Sequence, residues 1–100
     1  MSKFGLYTKF ITLEGERDSL IDILLEAAKG MESVEGCYLY VINIPDDDPN
    51  AVWVTEIWSN SSSHQASLSL DQSKTLIQKA RPLIDGMEQI KLSSIGGKGI

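Results

Sequence analysis

Two side chains able to move a proton near neutral pH stand close together in this chain. Glu56 sits inside the run Trp53-Val54-Thr55-Glu56-Ile57-Trp58, and His64, the one histidine, follows six residues after Trp58. A carboxylate among apolar neighbours on a strand either finds a hydrogen-bond partner or has its pKa driven up. In a functional reading Glu56 is a proton acceptor or donor beside an apolar, aromatic-lined pocket. In a structural reading it is satisfied by a backbone amide, a tyrosine hydroxyl or an arginine, and holds the fold or a dimer together. His64 is the natural base near pH 7, with an exposed or capping histidine as the alternative. Trp58 and Trp53 fit core or interface packing as well as an aromatic platform. Tyr7, Tyr38 and Tyr40 are able to orient a phenolic ligand, although tyrosine is also an ordinary sheet residue. Cys37 has no basic neighbour to activate it and reads as a small buried hydrophobe.

Other catalytic constellations are missing. One histidine and one cysteine cannot assemble a Cys/His zinc site within one chain. Asp46-Asp47-Asp48 lacks the alternating ligands and central glycine of a calcium loop, and is expected to solvate a turn. In Gly96-Gly97-Lys98-Gly99 no Ser or Thr follows the lysine and no helix begins, so it is not a phosphate loop. There is no Gly-x-Gly-x-x-Gly for a dinucleotide. Neither a metal nor a cofactor is expected.

The elements that must position Glu56 and His64 read as strand, helix, strand, strand, helix, strand. Gly5 to Leu13 is rich in β-branched and aromatic residues and predicts a first strand. Glu14-Gly15-Glu16 turns into a helix whose apolar stripe is Leu20, Leu24, Ala27, Ala28 and Met31, with Gly30 as its stop. Cys37 to Ile44 and Ala51 to Trp58 form a hairpin around Pro45-Asp46-Asp47-Asp48-Pro49-Asn50. Asn60 or a neighbouring serine caps a second helical region. Its clearest part is Asp71 to Ile84, with Pro82 expected to kink it or end it early. Met87 to Ile95 alternates as a last strand, and the glycine-rich end is expected to be a flexible tail.

That order is the split β-α-β repeat of an α+β, ferredoxin-like domain, β-α-β-β-α-β, with two helices on one face of a four-stranded antiparallel sheet. A single domain spanning 1–100 is expected at this length. Both faces of the middle strands are apolar. Leu39 and Val41 oppose Tyr38, Tyr40, Ile42 and Ile44, and Val52, Val54 and Trp58 oppose Trp53 and Ile57. Two helices cover one face, so the other is expected to meet a second subunit, closing a dimeric α/β barrel.

Composition narrows the partners. The hydrophobic share of 42% and charged share of 23% are those of a globular chain, not a disordered one. Nine Lys and Arg against fourteen Asp and Glu give a net charge of −5, which argues against nucleic acid and against an anionic membrane surface. No apolar stretch approaches the length of a membrane span. The start lacks a long apolar segment, so no secretory signal is expected. With a lone cysteine, a cytoplasmic location is expected.

These residues together resemble a known family. The run Trp53 to Trp58, then Ser63-His64-Gln65-Ala66-Ser67-Leu68, then Ala80-Arg81-Pro82-Leu83-Ile84, is similar to the antibiotic biosynthesis monooxygenase domain. Glu35-Gly36-Cys37 and the Gly96-Gly97-Lys98-Gly99 ending are similar as well, and Glu-x-Trp followed by a helical His is the most specific part. The resemblance implies a homodimeric barrel of ferredoxin-like subunits. It implies oxygen insertion into a small aromatic substrate, a hydroquinone or polyphenol, by dioxygen without metal, flavin or nicotinamide. A deprotonated polyphenol is itself able to pass an electron to dioxygen, so the protein need only bind, deprotonate and exclude water. On that reading His64 or Glu56 assists deprotonation, and Trp58 with a tyrosine packs the ring between sheet and helices. The chain departs from the family in places. Val54 stands where some members have an asparagine on the third strand. The asparagine and tryptophan of the haem-degrading branch are missing, with Ala66 near the tryptophan position, which disfavours haem degradation. A competing class is a non-enzymatic dimer that binds a small apolar or aromatic ligand.

Overall fold

A computed structural model describes residues 2–100; Met1, part of the expected domain, lies outside the described residues. The chain runs β1 (Lys3–Thr12), α1 (Arg17–Met31), β2 (Cys37–Asn43), β3 (Ala51–Trp58), α2 (Ser61–Ser67), α3 (Asp71–Ala80), a 3-10 turn over Arg81–Leu83, and β4 (Ile84–Ser94). The four strands form one sheet in the order β2-β3-β1-β4, every neighbouring pair antiparallel. This is the ferredoxin-like α+β arrangement, with its second helical region divided in two.

Local chemistry accounts for most boundaries. Gly15 takes a left-handed φ of 80° in the turn from β1 to α1, a conformation that is costly for residues with a Cβ. The α1 stripe is buried through Leu20, Leu24 and Met31. Gly30 does not stop that helix: α1 continues to Met31, and the bare Cα of Gly30 makes room for the Gln72 side chain of α3. In the hairpin loop, Asp48 accepts a hydrogen bond from the Asn50 amide at 2.9 Å. Arg17 donates to the Asp48 carbonyl, also at 2.9 Å, tying the loop to the start of α1. The Asn60 side chain caps α2 by accepting from the Ser63 amide at 2.8 Å. Helix α2 lasts only to Ser67, whose hydroxyl turns back to the His64 carbonyl at 2.6 Å. Serine hydroxyls that bond the preceding turn compete with helix propagation. Pro82 ends α3 at Ala80 in a 3-10 turn, so Leu83 and Ile84 lie beyond the helix. With the helix ended early, β4 begins at Ile84, before the expected Met87.

On the covered face Leu6, Leu20, Val52, Val54 and Trp58 are almost fully buried, and Leu24 and Ala80 close the core. The opposite face is bare and largely apolar. Val41, Thr55, Tyr7 and Ile90 share one row, and Leu39, Ile57, Gly5 and Leu92 the next. Strict alternation groups Tyr38 with Tyr40, but a register shift between Cys37 and Leu39 separates them. Cys37 pairs with Trp58 and Leu39 with Ile57, so Tyr38 is the extra residue of a bulge. No helix among the described residues is long and apolar enough to cross a membrane.

Candidate active site

Between the covered face and the helices lies a cavity of about 630 Å³. Leu6, Thr8, Phe10 and Val54 form its floor, while Leu24 from α1 and Leu76 from α3 wall it. Its polar end is built by four elements. Tyr40 of β2 and Leu6 of β1 flank Glu56 in register on β3. From α2, His64 leans over that row, and both Glu56 and His64 line the cavity.

Helix α2 reaches this position because Gly36 has no side chain. A Cβ there would stand 2.7 Å from that of Ser63, closer than real Cβ contacts allow. The Ser59 amide donates to the Gly36 carbonyl at 2.8 Å, and the Ser59 and Ser63 hydroxyls are 2.8 Å apart. One residue along, the His64 ring lies between two aromatics, 5.7 Å from Phe4 and 5.5 Å edge-on to Trp58, centroid to centroid.

Glu56 is 7% exposed, and its Oε1 accepts a hydrogen bond from Trp58 Nε1 at 3.0 Å. This is a partner different from the amide, tyrosine or arginine anticipated from sequence. The same oxygen is 3.9 Å from His64 Nε2, beyond hydrogen-bond distance. Burial pushes the Glu56 pKa up to about 7, although the Trp58 hydrogen bond pulls it down. Burial also lowers that of His64, with a smaller contribution from the Lys91 charge. Both shifts favour the uncharged forms. Near pH 7 the pair therefore offers a neutral imidazole and a carboxyl close to half ionised, each able to take or give a proton.

The remaining sequence candidates divide between the two sides of the sheet. Tyr40 lines the cavity, and burial, then the nearby Glu56 and Cys37, raise its pKa. Cys37 is half-buried, its thiol likewise pushed up by burial and Glu56. Trp58 is 1% exposed behind Glu56 and is not part of the cavity wall. Tyr7 lies on the open face. Tyr38 lies outside the cavity with the Lys3 ammonium 5.2 Å from its ring centroid. Sequence reasoning passed over Lys91, Phe4 and the Gln89–Thr8 hydrogen bond of 3.3 Å at the cavity floor. Alternation along β1 and β4 carries that signal, but only with the strand pairing known. Among the described residues, no group of three or more His, Cys, Asp or Glu is placed to hold a metal ion.

The model of the antibiotic biosynthesis monooxygenase family matches residues 4–79. The chain belongs to that family. A solved structure from Chloroflexus aurantiacus J-10-fl, named for the same family, is 42% identical, with 99% of each chain covered and a TM-score of 0.90. More distant structures share the fold. One from Caulobacter crescentus CB15 is 15% identical, with 95% of this chain and 92% of that one covered and a TM-score of 0.86. One from Shewanella oneidensis is 18% identical, with 93% and 91% covered and a TM-score of 0.84. No curated protein sequence matches the chain.

Proposed function

We propose that this protein is a cofactor-independent monooxygenase that oxidises a small phenol or hydroquinone with dioxygen. The observation that carries the reading is the Glu56–His64 pair at one end of an apolar cavity, both groups shifted toward their uncharged forms. The aromatic ring packs against Leu6, Val54 and Tyr40, and its hydroxyl meets the pair.

Neutral His64 takes the phenolic proton. The phenolate, shielded from bulk water, passes electrons to dioxygen, and a ring carbon bearing hydrogen becomes bonded to a peroxide anion, which His64 protonates. Ionised Glu56 then takes the proton from that carbon as the O–O bond breaks, and returns it to the departing hydroxide as water. One oxygen atom stays on the ring as a carbonyl and the other leaves as water. The phenol supplies all four electrons, so phenol plus dioxygen balances quinone plus water without another reductant.

The same reading pairs two chains through their open sheet faces. Exposed Tyr7, Val41, Ile90 and Leu92 form an apolar face of the kind that marks an interface. The test is oxygen uptake by metal-free protein across hydroquinones and polycyclic phenols, with autoxidation subtracted and His64→Ala as control. Uptake lost in the variant is expected. Uptake that survives in His64→Ala overturns the assignment of the base. No uptake with any compound, alongside tight binding of the same phenols, leaves a ligand-binding protein.

A further inference from the structure

Among the described residues, Trp58 is the sole side chain that donates a hydrogen bond to Glu56, at 3.0 Å to Oε1. Two residues apart on β3, the two side chains share a face of the strand. The Trp58 ring also meets His64 edge-on at 5.5 Å, so one indole touches both members of the pair. Glu56 and His64 line the cavity and Trp58 does not. At 1% exposure its ring faces are already taken by the core, so no surface is left for a substrate ring.

We infer that Trp58 is a positioning residue for the Glu56–His64 pair, anchoring Glu56 through Oε1 and packing against the imidazole in a T-shaped contact, and that it is not a substrate platform. This rests on the proton-transfer role proposed above for that pair. An indole nitrogen donates and never accepts. Its hydrogen bond therefore stabilises the ionised carboxylate over the acid, whatever the pH, and holds one oxygen away from substrate while Oε2 stays free.

The surroundings make this donor decisive. Tyr40 and Cys37 of β2 lie near Glu56, and burial raises both pKa values, so both are neutral near pH 7 and neither adds a charge beside the carboxylate. His64 of α2 is itself biased toward neutrality, with Lys91 of β4 adding to that bias. The Trp58 hydrogen bond is the influence that lowers the Glu56 pKa against burial.

Trp58→Phe removes the donor and keeps an aromatic ring. Without a charge-assisted hydrogen bond the Glu56 midpoint is expected to rise by about one unit, read by carbon NMR of the side-chain carboxyl, with Glu56→Gln identifying the signal. In turnover, kcat/KM at pH 7 is expected to fall about fivefold, recovering above about pH 9, with KM unchanged. A raised KM with an unmoved midpoint would make Trp58 a substrate platform and overturn the proposal. A second measurement needs no tryptophan variant. The Trp58 indole N–H signal of the native protein should titrate with the Glu56 midpoint and stop titrating in Glu56→Gln, while Trp53 stays still. An indole signal insensitive to Glu56 overturns the proposal even if Trp58→Phe fails to fold. Should no phenol be oxidised, the NMR midpoints still decide the positioning role, and only the proton-transfer reading falls.

Discussion

Each face of the sheet carries a carboxylate and a base 3.9 Å apart, Lys9–Glu88 on the open face and His64–Glu56 on the covered one. The spacing is equal and the consequences differ. Lys9 and Glu88 have side chains 26% and 69% exposed, so water and salt screen their attraction, and such pairs contribute about 0–1 kcal/mol. The side chains of His64 and Glu56 are 13% and 9% exposed. There the loss of hydration outweighs mutual attraction, and both groups shift toward neutrality. Enclosure, and not spacing, makes one pair fit for proton transfer. The alternation of β3 sorts the side chains: Glu56 is buried, while its neighbour Thr55 shares the open face with Asn43, which donates to its hydroxyl at 3.1 Å.

The sharpest way to break this comparison is to remove the buried carboxylate. Glu56→Gln is expected to lower kcat by about 10²–10⁴-fold, the usual worth of a positioned acid–base group, with an unchanged circular dichroism spectrum. Retained turnover would reduce the covered pair to a structural role.

On the other face, Ile90→Lys places a charge in each half of the proposed interface. Light scattering should then give a particle of the 11.0 kDa chain mass in place of one twice as heavy. The monomer should stay folded, because Ile90 is already 51% exposed. A native protein that scatters as a single chain would remove the dimer altogether.

A smaller effect concerns stability and pH. The folded pKa of Glu56 is raised from 4.5 to about 7, so the folded protein holds that proton more tightly than the unfolded chain. Its contribution is full below about pH 4.5 and is lost as pH rises through 7, a swing of about 3 kcal/mol at most. Denaturant titrations of the native protein and Glu56→Gln should differ in slope across that window, the native protein losing stability relative to the variant as pH rises. Parallel curves would mean that Glu56 keeps its ordinary affinity for the proton. The smallest change is expected from Lys9→Ala, within about 1 kcal/mol. A larger loss would place the Lys9–Glu88 pair inside the dimer interface.

Much of this was legible from residue types. Asn60 and the serines after it announced a helix start because short polar side chains satisfy free amides. Pro82 announced the end of α3 because it lacks a donor, and the apolar alternation of β3 placed Glu56 among buried neighbours. Less legible were features decided by contacts between distant segments. Gly30 looked like a helix stop, yet Gln72 occupies the space beside it. The bulge that moves Tyr38 away from Tyr40 depends on pairing with β3. The partner of Glu56 was two residues away, but sequence could not choose an indole over other donors.

By itself, the sequence determined the kinds and order of elements, the two apolar faces and the two groups able to exchange protons near pH 7. Periodicity, capping and charge are local properties, written residue by residue. The tertiary structure alone decided that Gly36 lets α2 approach, that His64 stops 3.9 Å from Glu56, and that Trp58 stands behind the pair while Tyr40 faces the cavity. Those outcomes depend on how tightly separate elements pack and how much water they exclude, and burial is a property of the assembled fold.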